Sequence, residues 1–274
     1  MSGSPRTLTP AVIVTRLRAA GCVFAEDEAR ILIEAANGPF ELAAMVSRRV
    51  DGLPLEQIVG WAEFCGLRIS IAPGVFVPRQ RTEFLVRQAA DLGRNLLAMD
   101  GMARLTVLDL CCGSGALGAV LGTELESVEL VAADIEPAAV ECARRNLARL
   151  HGSVYEGDLY QPLPADLRGR VNIIMANVPY VPTKDIDLLP PEARVHEPTA
   201  ALDGGADGLD VLRKVAAEAP DWLAPSGHLL VETSERQAPI AARVFADNGL
   251  LPTVAGSVEL GATVVIGSRP ATMD

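Results

Sequence analysis

Apolar and polar positions along this chain change their period at about residue 82. Up to about residue 60 the apolar residues recur at helical spacing. Ile13, Leu17 and Ala20 fall on one face of a helix that opens at Thr9-Pro10, an N-cap residue followed by proline in the first turn, and closes at Gly21. Further helices are predicted from about Glu26 to Ala36 and from Phe40 to Val50, ended by Asn37-Gly38-Pro39 and Asp51-Gly52. AEFCGLRISI (62–71) reads as a hairpin or two short strands. PGVFVPRQRTE (73–83) reads as an extended connection, since its two prolines resist helix.

Beyond residue 82 helices alternate with apolar runs. A helix over 82–99 is followed by LTVLDL (105–110), a buried strand, then a glycine-rich turn and a helix over 115–125. VELVAAD (128–134), SVYEGD (153–158) and VNIIMA (171–176) read as strands, with a helix over 137–150 between the first two. Helix 208–219, strand GHLLVET (227–233) and helix 236–248 come next. LLPTVAG and ATVVIGS close the chain as an antiparallel pair. This alternation predicts an α/β fold with a doubly wound sheet, in which ligands sit at the carboxyl ends of the strands.

Composition narrows the class. Of 274 residues, 49% are apolar and 22% charged, which suits a globular protein with a sizeable core. No apolar run reaches the roughly 18 residues of a membrane span, and MSGSPRTLTP has no apolar signal region, so a cytoplasmic location and no membrane partner are expected. The net charge is −11, with +1 on residues 1–81 and −12 on the rest. Such a surface repels a phosphate backbone, which makes nucleic acid an unlikely partner. Five cysteines without a CxxC and three scattered histidines predict neither a disulfide framework nor a metal site.

Chemistry gathers at two strand ends. After Asp109 the chain runs Leu110-Cys111-Cys112-Gly113-Ser114-Gly115, and a second acid, Asp134, ends the next strand 25 residues later. Glycines allow close backbone approach to a ligand, and an acid after the second strand can accept hydrogen bonds from ribose hydroxyls. Gly113-x-Gly115-x-x-Gly118 also fits a dinucleotide fingerprint, so NAD and S-adenosylmethionine (SAM) both remain open on this motif alone.

The second motif, Asn177-Val178-Pro179-Tyr180, follows 171–176. It is an ordinary turn sequence, yet at a strand end it suits methyl transfer to a planar amide or amine nitrogen. The lone pair of such a nitrogen is delocalised. Hydrogen-bond acceptors on its two hydrogens, from the Asn177 side chain and the Val178 carbonyl, would orient it and raise its electron density. Tyr180 offers a flat face and Pro179 fixes the turn. Catalytic roles therefore fall to Asn177, Pro179 and Tyr180, with Val178 joining them in substrate binding.

These segments resemble the protein-(glutamine-N5) methyltransferases that modify the Gly-Gly-Gln glutamine of class 1 peptide chain release factors. The resemblance rests on the 55–86 segment with its Pro78-Arg79…Thr82-Glu83 signature, VLDLCCGSGALG, GDLYQPL (157–163), NVPYVP and EPTAALDGGADGLDVLRKV (197–215). It implies a seven-stranded Rossmann-like SAM-dependent methyltransferase domain over 82–274. A small N-terminal helical substrate-recognition domain (1–60) and a hairpin linker (61–81) would precede it. Cofactor-binding residues would be Asp109, Cys111, Cys112, Gly113, Ser114, Gly115, Asp134, Ile135, Asp158, Leu159 and Asn177. SAM would be the methyl donor, S-adenosylhomocysteine the product, and no metal would take part.

Two positions depart from the family. Cys111 stands where glycine is usual, so the loop must either change conformation or carry strain. Val178 stands for the first proline of Asn-Pro-Pro-Tyr, which leaves a sister branch with another protein substrate open. Adenine-N6 methylation of nucleic acid is a further alternative, opposed by the negative charge. An NAD-dependent oxidoreductase leaves NVPY unexplained. A non-enzymatic binding module has only Cys111 and Val178 in its favour. The loop 181–205 is long for a strand-to-helix connection and is expected to border the substrate channel, with the protein substrate docking against it and the N-terminal helices.

Overall fold

The computed structural model describes residues 8–99 and 103–271. The segment 1–7, part of the stretch read above for the lack of a signal region, lies outside the described residues. Helices α1 (Pro10–Ala19), α2 (Ala25–Ala35), α3 (Pro39–Val50) and α4 (Leu55–Val59) come first. They enclose a core of their own, in which Ile13, Leu17, Leu32 and Val46 are fully buried. Ala20 does not join it. It caps the end of α1 and is exposed, because the helix has already closed.

Strands β1 (Trp61–Phe64) and β2 (Leu67–Ser70) pair as an antiparallel hairpin. An extended linker then leads through one short 3-10 turn into α5 (Glu83–Met99). There follow β3 (Leu105–Leu110), α6 (Ala116–Glu124), β4 (Val128–Asp134), α7 (Pro137–Leu147), β5 (Ser153–Glu156) and β6 (Val171–Ala176). The chain continues with α8 (Pro191–His196), α9 (Asp210–Trp222), β7 (Leu223–Thr233), α10 (Ala238–Asp247), β8 (Leu251–Ser257) and β9 (Ala262–Ser268). Two sequence-predicted boundaries move. Helix α9 runs on through Pro220 to Trp222, and β7 begins four residues before the expected Gly227.

The seven-stranded sheet has the order β5-β4-β3-β6-β7-β9-β8, parallel except where β9 pairs with β7 and β8. The strand order reverses between β3 and β6, and that is where a ligand crevice opens in such sheets. Side-chain alternation divides β3 between two cores. Leu105 and Val107 face the layer of α5 and α6, whereas Leu108 and Leu110 face the layer that holds Tyr160 and Trp222. Asp109 shares its parity with Leu105 and Val107, which directs its carboxyl toward α6.

No helix among the described residues is long and apolar enough to cross a membrane. All five cysteines are free.

Candidate active site

A cavity of about 270 Å³ opens at the carboxyl ends of β3, β4 and β6. Its floor is the turn after β3. Gly115 has φ +73°, and a Cβ there would stand 3.1 Å from that of Ala143 on α7, so a side chain is excluded on both counts. Cys111 has φ +56°, the left-handed region that favours glycine. The loop takes the strain, a cost of about 1–3 kcal/mol. Leu159, on the adjoining wall, is held the same way at φ +48°. Burial pushes the Cys111 and Cys112 thiols well up, and the neighbouring Asp134 and Asp109 charges add to it, so neither is poised as a thiolate.

Asp134 ties the turn to β4. Its Oδ2 accepts from the Gly113 N–H at 2.8 Å and its Oδ1 from the Glu136 N–H at 2.9 Å. Burial raises its pKa, and those N–H donors oppose the rise. From α7, Asn146 donates through Nδ2 to the carbonyls of Ser114 at 2.8 Å and Ser70 at 2.9 Å, joining the turn to the hairpin.

Of the sequence-predicted cofactor residues, Cys111 to Gly113, Ser114, Asp134, Ile135, Asp158, Leu159 and Asn177 line the cavity. Gly115 lies directly behind them as the first turn of α6 begins. Asp109 is the correction. It is almost wholly buried, and its Oδ2 accepts from the Gly118 N–H at 2.8 Å, beneath the loop rather than in the cavity. Burial lifts its pKa to about 8, and the Gly118 N–H only partly opposes this. Asp109 therefore braces α6 against β3 mainly as a neutral acid.

At the other side of the cavity Asn177 follows directly on β6. Its Nδ2 donates to Thr82 Oγ1 at 3.5 Å, which leaves Oδ1 without a hydrogen-bond donor among the described residues. Val178, Pro179 and Tyr180 line the same wall. Tyr180 is fixed at both ends. Its hydroxyl donates to Glu232 Oε1 at 2.8 Å, and its carbonyl accepts from Gln237 Nε2 at 3.0 Å. Burial, reinforced by the Glu232 charge, holds the phenol far above its ordinary value, so it stays protonated. Gln237 also donates to the Asp207 carbonyl at 2.9 Å and accepts from the Ser234 hydroxyl at 2.6 Å. One buried amide thereby fixes the tetrapeptide, the 203–208 turn and the start of α10 together.

Several walls were not among the sequence-predicted residues. Phe76, Pro78 and Arg81 of the linker line the cavity, as do Ala200 to Leu202 from the loop after Val181. Glu197 holds the linker against that loop. It accepts from the Val77 N–H at 3.1 Å and from Arg79 Nη2 at 2.6 Å. Arg49 of α3 pairs with Glu192 of α8 at 3.1 Å, so the N-terminal helices touch the same loop.

The charge distribution separates the two cofactors that the glycine turn left open. Asp134, Glu136 and Asp158 line one side, and among the described residues Arg81, on the linker, is the only basic one in the lining. An acidic wall attracts a sulfonium cation and repels a pyrophosphate.

Residues 84–205 match the family model described as the methyltransferase small domain. The release factor glutamine methyltransferase of Geobacter sulfurreducens is 38% identical over 237 residues, covering 84% of this chain and 79% of that one. The chain belongs to the release factor glutamine methyltransferase family. That family's fold is the seven-stranded Rossmann-like one found here, and its members are SAM-dependent enzymes. A 4-amino-L-phenylalanine/4-methylamino-L-phenylalanine methyltransferase of Streptomyces pristinaespiralis is 34% identical over 204 residues, covering 74% of this chain and 69% of that one. A methyltransferase structure from Pyrococcus furiosus aligns with a TM-score of 0.53 at 16% identity, over 83% of this chain and 99% of that one, a likeness of fold. Among the described residues no group of three or more His, Cys, Asp or Glu is placed to hold a metal ion.

Proposed function

We propose that this chain, in the cytoplasm, methylates the side-chain amide nitrogen of the Gly-Gly-Gln glutamine in a class 1 peptide chain release factor. The observation that carries this reading is the Asn177 amide. It sits at the end of β6 with Nδ2 turned to Thr82 and Oδ1 free, in a cavity whose opposite side is acidic.

The residues present fit SAM. Asp134 would take the ribose hydroxyls with the lone pairs that Gly113 and Glu136 leave unused. Asp158, Leu159 and the exposed Ile135 would border the base. Residues 111–115 would wrap the amino-acid end, where glycine backbone lets a ligand come close. When bound, the cofactor supplies an electrophilic methyl group on a sulfonium.

The chain's own part is to hold the acceptor nitrogen. Asn177 Oδ1 and the Val178 carbonyl each accept one of its N–H groups. The Tyr180 ring supports the amide plane, and Pro179 keeps the two acceptors at a fixed angle. Such positioning can contribute about 7–11 kcal/mol toward the barrier, and aimed dipoles add to it. No strong base is needed, because the amide proton becomes acidic as nitrogen gains the methyl. The helical unit 1–60 and the loop 181–205 would receive the rest of the protein substrate.

The test is transfer of labelled methyl from SAM to purified release factor of the same cell, beside a factor whose Gly-Gly-Gln glutamine is replaced by alanine. Label that depends on the glutamine supports the reading. Label on neither factor, with SAM binding intact, refutes the release factor as target.

A further inference from the structure

Arg81 has no part in the site as read so far, although among the described residues it is the only basic one lining the cavity. Its Nε donates to Glu232 Oε1 at 3.2 Å, and its guanidinium carbon lies 5.7 Å from the centre of the Tyr180 ring. Its two terminal amino groups make no hydrogen bond among the described residues. Glu232 is only 2% exposed, and its Oε2 has no partner among them. A carboxylate buried this deeply needs a counter-charge, and among the described residues the one that reaches it is Arg81. Pairing through Nε leaves the terminal donors of the guanidinium unengaged on a residue that lines the cavity. Their forked geometry suits a carbonyl oxygen.

We infer that Arg81, anchored by Glu232, donates to a main-chain carbonyl oxygen of the acceptor peptide beside the methylated residue, and so selects a peptide acceptor over a free amino acid. The inference rests on the reading that Asn177 to Tyr180 hold the acceptor nitrogen, because Arg81 is stationed against Tyr180.

The test compares wild type with Arg81→Ala and Arg81→Lys. With release factor as acceptor, Arg81→Ala should raise the acceptor KM at least tenfold, lower kcat by less than that factor and leave the Kd for SAM unchanged. Arg81→Lys keeps the charge without the fork and should not restore KM. An unchanged acceptor KM overturns the inference. So does a rise in the Kd for SAM, which would put the guanidinium on the cofactor's own carboxylate. If wild type transfers no methyl to release factor, that target fails separately, and calorimetry with acetyl-Gly-Gly-Gln-methylamide in the presence of S-adenosylhomocysteine decides Arg81. Wild type should then bind the capped peptide at least tenfold more tightly than Arg81→Ala does, and more tightly than it binds free glutamine. Equal binding, or no binding by wild type, overturns the inference.

Discussion

The acidic half of the cavity is made by neighbours in the sheet, with Cys111 to Ser114, Asp134 and Asp158 leaving the ends of β3, β4 and β5, three strands side by side. The half around Asn177 to Tyr180 is made by strangers. Thr82 comes from 95 residues upstream, Glu232 from 52 residues beyond Tyr180 and Gln237 from 57. The first half draws its ties to the glycine turn from nearer in the chain, Asp134 from 21 residues beyond Gly113 and Asn146 from 32 beyond Ser114, and it holds two left-handed non-glycine residues, Cys111 and Leu159. The second half is stiff only while its distant partners stay in place. Damage to the two halves should therefore differ in kind. The first should lose cofactor affinity and fold stability, the second turnover.

The largest expected effect is on the second half. Asn177→Ala should lower kcat by about 10²–10³, the usual cost of losing one aimed polar group, while calorimetry shows the Kd for SAM within a few-fold of wild type. Near-normal turnover would remove Asn177 from the chemistry. Gln237→Leu touches no ligand but frees the Tyr180 carbonyl, and should lower kcat about tenfold, the range of a small misplacement of reacting groups. If it raised the Kd for SAM by the same factor, the two halves would not be separable.

Smaller effects should appear in the first half. Cys111→Gly keeps φ +56° without the Cβ and should stabilise the fold by about 1 kcal/mol, net of the unfolded-state entropy that glycine adds. Calorimetric melting should then rise by about 2–4 °C. A fall would mean that the thiol's packing outweighs the strain.

A further effect in the first half is a slope with pH. Asp109 has a folded pKa of about 8 against an ordinary value of 3.8, so between those values the folded state holds a proton that the unfolded state has lost. That contribution to stability is fully present below about pH 4 and declines as pH rises toward 8. Asp109→Asn should flatten this part of the melting-temperature profile, and an unchanged slope would assign it to other groups.

What the sequence could reveal follows the same division. Strands such as 105–110 and 171–176 are legible because buried parallel strands are apolar throughout, and the glycine turn is legible because its residues are consecutive. Asp109 misleads for the same reason. It stands beside the loop in sequence, and only the alternation of β3 shows that its side chain points under the loop. Arg81 and Gln237 are polar residues in unremarkable places, and nothing local says that they converge on Tyr180. Thr82 stands in the 55–86 signature, yet nothing local says that it reaches Asn177. Glu232 did leave a signal, a lone charge inside the apolar run HLLVET, a place where a carboxylate needs a reason. Val178 is buried in the wall of the cavity.

The linker has a consequence for how this enzyme can be altered. Phe76, Pro78 and Arg81 form a wall of the reaction cavity, and the same short stretch is gripped by Glu197 on one side and by Gln57 of α4 on the other, through the Val75 carbonyl. The part that would meet the partner protein and the part that performs the transfer thus share a piece of backbone. They cannot be exchanged between relatives as separate modules. A chimera joined at residue 82 would import a foreign wall along with foreign helices, so a change of partner at the front of the molecule also redraws the pocket behind it.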